Sequence, residues 1–410
     1  MEKINEFSYM TNTTKIVLTR RAVHGEDGAT KVLLSLANEL DKRGYDVYVV
    51  VFKKPKRKPF YKINNSIKIL KCKIPRTSRT SRVLQGMLTI TRLNKFLEKI
   101  ERPRGLAGWV MYYIWRLENN DKITSFKSVM NKVDPDVVFS FYTKTYFFTA
   151  VACNEMGIPL VRSNQNDVRI YRTRMGNMYE VLESKAQADG VTVLDTFFLD
   201  YIKKSDVERC KVIPNTVDSS FYNIESEGGR KHVVLSVGRL TEQKNPLFLI
   251  DAFRYVLEHY PEWELHFYGV GSLEGLMEKK IKEYGLCDSI YLKGVSSDII
   301  EAYNSASILA FPSRYEGFGL VLIEAMATGL PSVVIEDCLP PARFVSESGA
   351  GLVTKNSTEE YAKSLMVLME SKELRIQLGD KAKSYAKRYQ SKKVYDSWED
   401  LLQTVLLNNR

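Results

Sequence analysis

The sequence predicts an α/β protein built from two successive Rossmann-like domains, and three observations carry that expectation. At 410 residues the chain exceeds what one hydrophobic core usually serves. Its start reads as strand, loop, helix and strand, and the same grammar returns after residue 230. Between residues 311 and 331 the string FPSRYEGFGLVLIEAMATGLP passes from strand through a glycine turn to a helix and a new strand. That arrangement places a ligand at a helix N-terminus beyond the strand ends.

Composition narrows the class. Apolar content of 44% with 27% charged residues is that of a soluble globular protein. Five scattered cysteines, odd in number and without C-x-x-C spacing, read as buried thiols in a reducing cytoplasm and give no disulfide frame or zinc site. The polar first fourteen residues are no signal segment, and no run of eighteen apolar residues offers a membrane span. The net charge of +11 is unevenly placed: residues 51–104 hold seventeen Lys/Arg against Glu98 and Glu101, a local +15, which leaves −4 elsewhere. Such a block implies an anionic partner, be it a membrane surface, a lipid diphosphate or a nucleic acid.

In the first domain, Lys15–Arg20 is a buried strand, residues 30–40 show helical periodicity, Gly44 caps that helix, and 45–52 form a second strand. The intervening loop holds His24, Gly25 and Gly28, where such folds bring backbone to a phosphate or substrate. Residues 83–100 can form a basic amphipathic helix. The aromatic run 105–117 suits a core helix, the favoured reading, or an interfacial one. Strands follow at 136–141 and 159–162, with a helix over 144–156 between them. The second of these strands runs into the polar tip Ser163-Asn164-Gln165-Asn166-Asp167, a natural place for ligand contacts. A strand over 188–193, a short helix over 197–202 and a last strand over 211–214 complete the domain. Residues 225–230 (ESEGGR) read as a flexible linker.

In the second domain the strand ending at Val237 is followed by Gly238-Arg239 and by Lys244-Asn245-Pro246, which opens a helix. Two cations beside a helix N-terminus make a diphosphate site plausible on charge and geometry. The strand Glu264–Tyr268 ends in a second glycine turn, Gly269-Val270-Gly271. In the organising stretch, Glu316 sits in the turn and Glu324 on the helix, eight positions apart, while Gly317 and Gly319 let backbone N–H groups approach a ligand. From Thr358 the chain reads as helical, with breaks near Ser371 and Ser391. The last segment carries Val394, Trp398, Leu401, Leu402 and Val405 on one face.

E-x₇-E enclosing G-F-G, after F-P-S and before E-A-M-A-x-G-x-P, resembles the nucleotide-sugar glycosyltransferases of the GT-B fold, in particular the large retaining family 4. S-V-G-R-L-x-x-Q-K-N-P matches that family closely, and Pro214-Asn215-Thr216-Val217-Asp218 is similar to its P-N-G-V-D hinge. The resemblance implies two Rossmann-like domains facing across a cleft: 1–222 for the acceptor, 223–388 for the donor, and a helix, 389–410, crossing back. It implies that Arg239 and Lys244 stabilise the leaving diphosphate, that Glu316 holds a donor-sugar hydroxyl, and that Glu324 accepts from the ribose. Backbone at Phe318, Gly319 and Leu320 completes the donor site, with Gly238, Gly269, Gly294 and Val295 near the nucleotide. Gly28, His24 and Asn164 fall to the phosphate loop and acceptor side. The sequence departs from the family at Glu26-Asp27, where a glycine and a glutamate are usual, and at 336–341, where a glycine-rich loop is common. No histidine lies at the N-lobe strand tips, so no catalytic histidine is assigned.

The expected enzyme transfers a sugar, in retaining fashion, from a nucleotide-diphosphate sugar (a UDP-sugar first) to a polyprenyl-diphosphate-linked or glycan acceptor. The absence of an Asp-x-Asp motif predicts no required divalent metal and no other cofactor. Its place would be the cytoplasm, peripheral at the inner membrane face, in bacterial surface-polysaccharide assembly. The alternatives are a GT-B epimerase and a non-catalytic nucleic-acid or membrane module on a transferase scaffold; nucleic acid is the less expected partner.

Overall fold

The computed structural model describes residues 13–25, 27–53, 58–73, 106–141, 143–222, 229–296 and 298–409. The expected basic helix over 83–100, much of the cationic block and linker residues 223–228 lie outside the described residues. The chain divides into two compact units, 1–213 with 397–410, and 214–396.

The first unit holds a parallel sheet of β1 (Lys15–Arg20), β2 (Asp46–Val51), β3 (Lys68–Lys71), β4 (Val137–Ser140), β5 (Leu160–Ser163), β6 (Gly190–Val193) and β7 (Cys210–Val212). Their order is β3-β2-β1-β4-β5-β6-β7, with Ile16 in register with Val47 on one side and Val137 on the other. Strands covered on both faces need continuous apolar runs rather than alternation, and β1, β4 and β5 are buried almost throughout. The helix Gly28–Lys42 follows β1, buries Val32, Leu33, Leu36, Ala37 and Leu40, and is capped by Asp27, whose side chain accepts from Thr30 N. On the terminal helix Ser391–Asn408, Trp398 packs edge-on to Phe139 at 5.9 Å and tilted to Phe141 at 5.7 Å. A Cβ on Gly190 would stand 3.1 Å from both Leu401 and Val405, so glycine lets that helix seat on β6.

The second unit repeats the plan with β8 (Val233–Val237), β9 (Glu264–Tyr268), β10 (Ile290–Leu292), β11 (Ile308–Phe311), β12 (Ser332–Ile335) and β13 (Gly351–Thr354), ordered β10-β9-β8-β11-β12-β13. Its core gathers Trp263, Phe253, Phe267, Leu265 and Tyr361.

Four expectations change. The division falls after Ile213 and Asp396 rather than after 222 and 388. Val217 N donates to Tyr389 O at 3.2 Å, Tyr222 Oη to Ala386 O at 2.9 Å, and Phe221 packs edge-on to Tyr303, so 214–222 belongs with the second unit. Arg230 is no flexible linker: its guanidinium donates to the carbonyls of Tyr303, Ala306 and Thr328 at 2.7–2.9 Å, and burial brings its pKa down to about 10. The aromatic run belongs to one long helix, Leu106–Val133, that buries Met111 and Ile114 yet leaves Trp109 and Tyr113 exposed. The thiols are not uniformly buried, since Cys287 is exposed.

Candidate functional site

In the second unit the strand order reverses between β8 and β11, so the loops leaving these two strands diverge and open a crevice at their C-terminal ends. Gly238, Arg239, Lys244, Phe311, Pro312 and Ser313 line a pocket there. Gly238 adopts φ +146°, and its missing side chain makes room for Lys244, whose Cε would lie 2.9 Å from a Cβ. Lys244 Nζ stands 2.6 Å from Glu316 Oε1, with the two side chains 19% and 12% exposed. The pair is held by charge and proximity; no hydrogen bond of ordinary geometry reaches that oxygen. The ammonium also lies 5.2 Å over the Phe311 ring. Removing one member would strand a largely buried charge, a change that costs about 3–5 kcal/mol in comparable pairs.

Arg239 is exposed and donates to Gln243 Oε1 at 3.3 Å. Gln243 in turn donates to Tyr315 O at 3.1 Å, and Arg314 N donates to Gln243 O at 2.9 Å. The loop after β8 is therefore laced to the loop that carries Glu316. Asn245, left-handed at φ +55°, ends the first loop and hands over to Pro246, the opening residue of the helix Pro246–Leu257.

The second loop turns through Gly317 and Phe318 to Gly319, at φ +84°, where a Cβ would meet Pro341 Cγ at 2.9 Å. The helix Leu320–Ala327 starts there without a side-chain cap. Its leading amides suit an anion or a sugar oxygen. The Phe318 ring points into a buried cluster with Phe344 and Tyr389, so only its backbone belongs to the turn. Glu324 is buried in the second helical turn and accepts from Tyr303 Oη at 3.0 Å. Complete burial, reinforced by that carboxylate, holds the Tyr303 phenol well above its ordinary pKa. The two glutamates thus serve different partners: Glu316 answers Lys244, and Glu324 answers Tyr303.

Gly269 and Gly271 have a packing reason to be glycine. A Cβ at 269 would come within 2.0 Å of Gly238 O, and one at 271 within 2.2 Å of Leu240 O. Gly269 N donates to Gly294 O at 2.8 Å and Leu240 N to Val270 O at 3.1 Å, which ties three strand-end loops together. Gly294, at φ +65°, faces open space, and Val295 beside it is exposed.

His24, Gly28 and Asn164 lie in the first unit. Gly28 is the first residue of its helix, His24 is half-buried in the same loop with Nδ1 unpartnered, and Asn164 is buried at the end of β5. Asp27 receives Arg20 Nη2 at 2.5 Å and Thr30 Oγ1 at 2.8 Å, and these groups satisfy one another. Asn164 Oδ1 accepts from Arg162 Nε at 3.1 Å. Burial pulls the Arg162 pKa down, but the paired Glu183 carboxylate and nearby phenols leave it raised.

Sequence reading missed Gln243, Arg314 and Tyr303. Gln243 and Arg314 stand inside the two loop strings and were legible there as polar neighbours. Tyr303, twenty-one positions before Glu324, gave no local signal. Among the described residues no group of three or more His, Cys, Asp and Glu could hold a metal ion.

The family described as glycosyl transferases group 1 matches residues 221–385, and that described as glycosyltransferase family 4 matches residues 27–221. The chain is 26% identical over 391 residues to an exopolysaccharide phosphotransferase of Streptomyces coelicolor, covering 93% of itself and 40% of that protein. It is 24% identical over 391 residues to the amylovoran biosynthesis glycosyltransferase AmsD of Erwinia amylovora, covering 95% of itself and 99% of the relative. It is also 24% identical to an Escherichia coli UDP-Gal:alpha-D-GlcNAc-diphosphoundecaprenol alpha-1,3-galactosyltransferase, covering 71% of itself and 81% of that protein. Among solved structures, Anabaena HepE in complex with UDP and glucose superposes with a TM-score of 0.70 at 16% identity, over 95% of this chain and 99% of that one.

Proposed function

The chain belongs to the group 1 glycosyltransferases, and from that premise we propose that it moves a sugar, with retention, from a UDP-sugar to a polyprenyl-diphosphate-linked or glycan acceptor in bacterial surface-polysaccharide synthesis. One observation carries the donor half: Arg239 and Lys244 share a pocket at the β8/β11 switch point beside Glu316 and the uncapped helix Leu320–Ala327. When the bond between the anomeric carbon and the diphosphate oxygen breaks, negative charge gathers on the phosphates. An exposed arginine and a lysine paired with Glu316 at that place stabilise it, with no divalent ion needed. Glu316, already paired with Lys244, receives a sugar hydroxyl, and Glu324, held by Tyr303, accepts from the ribose. The leaving phosphate helps take the acceptor's proton, which keeps attack and departure on one face of the sugar.

The E. coli and Erwinia relatives support a lipid-linked or polysaccharide acceptor, and HepE supports uridine as the base. The basic block over 51–104 suits docking on an anionic membrane at the cytoplasmic face. Among the described residues no helix is long and apolar enough to cross a membrane.

The test is differential scanning fluorimetry with UDP-, GDP-, ADP- and CMP-sugars, with and without EDTA, beside Glu324→Ala. A donor at 100-fold its dissociation constant adds about 2.7 kcal/mol of apparent stability. A shift with UDP-sugars that survives EDTA and vanishes in the variant supports the reading. No response to any nucleotide rejects it.

A further inference from the structure

The helices that carry Tyr303 and Glu324, Ile299–Ser305 and Leu320–Ala327, end beside one guanidinium. Arg230 Nη1 donates to Tyr303 O at 2.9 Å and to Ala306 O at 2.7 Å, and Nη2 donates to Thr328 O at 2.7 Å. Ala306 and Thr328 are the residues that close the two helices, so the fork takes terminal carbonyls of both at once. Those carbonyls are the negative ends of the helix dipoles, a setting that suits a cation. The partners of Arg230 are main-chain carbonyls, and among the described residues no carboxylate pairs with it.

A cation drawn out of water without a counter-charge costs stability. Finishing a helix does not require one: a left-handed glycine, Gly349, closes the helix Pro341–Ser348 in the same unit. What the arginine adds is a fixed spacing between two helix ends, and the Tyr303–Glu324 pair spans the same two helices. Tyr303 is held twice, by its carbonyl on Arg230 and by its hydroxyl on Glu324 Oε2 at 3.0 Å. Thr328 N donates to Glu324 O at 3.2 Å, so the residue that Arg230 grips also closes the helical turn that begins at Glu324. The main chain beside the arginine is fastened to the first of these helix ends. Lys231 N donates to Ser305 O at 2.8 Å, and Ser307 Oγ donates to Lys231 O at 2.6 Å.

We propose that Arg230 is a positioning residue for the donor: by clamping both helix ends it sets Tyr303 and Glu324 so that the Glu324 carboxylate meets the ribose. The inference rests on the reading of Glu324 given above and adds to it a residue that acts from behind. Loss of the fork should leave the fold and the diphosphate contacts in place and loosen one recognition, that of the ribose hydroxyls.

The experiment titrates the full chain with UDP and with 2′,3′-dideoxy-UDP by calorimetry, in the wild type, Glu324→Ala, Arg230→Gln and the double variant. The wild type should prefer UDP by about tenfold or more, the worth of hydrogen bonds to a charged acceptor. That preference should vanish in Glu324→Ala. In Arg230→Gln it should fall to about threefold or less, with affinity for the dideoxy analogue kept at the wild-type value. Adding Arg230→Gln to Glu324→Ala should change neither affinity, since the arginine acts through the glutamate. Should the glutamine variant not fold, Arg230→Lys, which keeps the charge but lacks the fork, should show the same fall. An intact preference in a folded Arg230 variant, or equal weakening of both nucleotides, overturns the inference while leaving Glu324 its role. No preference in the wild type removes that role and the inference with it.

Discussion

The two sheets of this protein share the same strand order through their first six strands, yet they use their switch points differently. In the first unit the arginine leaving β1, Arg20, is spent on Asp27, which also caps the following helix. In the second unit the arginine leaving β8, Arg239, stays exposed on a weak link to Gln243, and Lys244 sits against Glu316 inside a pocket. Topology supplies a crevice in both. What distinguishes them is the arginine: Arg20 is spent inside its own unit, whereas Arg239 keeps an exposed guanidinium.

The contrast breaks or sharpens at definite substitutions. The largest effect is expected for Lys244→Ala, which should cut kcat by about 10²–10³-fold, as loss of a charge-stabilising donor does elsewhere. Arg20→Ala, the corresponding removal in the first unit, should cost about 1–2 kcal/mol of stability through the lost charge-assisted bond to Asp27, which keeps Thr30 N and Thr30 Oγ1 as donors, and spare kcat. Loss of turnover in folded Arg20→Ala would erase the distinction.

Next comes Gly269→Ala, where a methyl meets Gly238 O at 2.0 Å in a backbone at φ +138°. Urea unfolding should show a loss of about 3 kcal/mol or more, against about 1 kcal/mol for Gly294→Ala, whose Cβ enters open space. Tyr303→Phe should follow at about 1–3 kcal/mol, because it removes a hydroxyl that donates to buried Glu324, and it should shrink the donor-induced thermal shift.

The smallest effect concerns His266. Burial lowers its pKa below 6.5, although Glu264, 2.7 Å away, opposes the shift. The folded chain then binds fewer protons than the unfolded one as pH drops below 6.5, so this stabilisation is present above that value and lost beneath it. His266→Gln should flatten the pH dependence of Tm just below pH 6.5; an unchanged slope there would show that another group governs it.

The legible part of the fold was the part written in long apolar runs and glycine turns. β1, β11 and β12 fall where continuous burial and flanking turns put them, β9 where a half-buried alternating run meets a glycine turn, and the helical breaks at Ser371 and Ser391 coincide with residues that cap or open helices. Less legible were β3, four residues between lysines, and β13, whose Gly351 is needed because a Cβ would meet Ser332 O at 2.1 Å. Both are made strands by their neighbours rather than by their own pattern. At the site, Arg239, Lys244 and Glu316 announced themselves as charges beside turns. Tyr303 did not, since a buried tyrosine on a short helix reads as core until its hydroxyl is found on Glu324. The aromatic run at 105–117 misled in the opposite sense: aromatic content suggested burial, but the helix turns half of it outward.

The interlocked glycines at 238, 269 and 271 carry one more consequence, for how variation in this chain would be interpreted. A saturation screen scored by product formation would rank Gly269 and Gly271 beside Lys244, inviting the conclusion that all three touch the donor. The two glycines have a spacing role whether or not a donor touches them, and variants that lose only that spacing would be rescued by a globally stabilising background or a lower growth temperature. Lys244 variants would not. Rescue, rather than rank, separates the groups proposed to meet the sugar nucleotide from those that hold the frame around it.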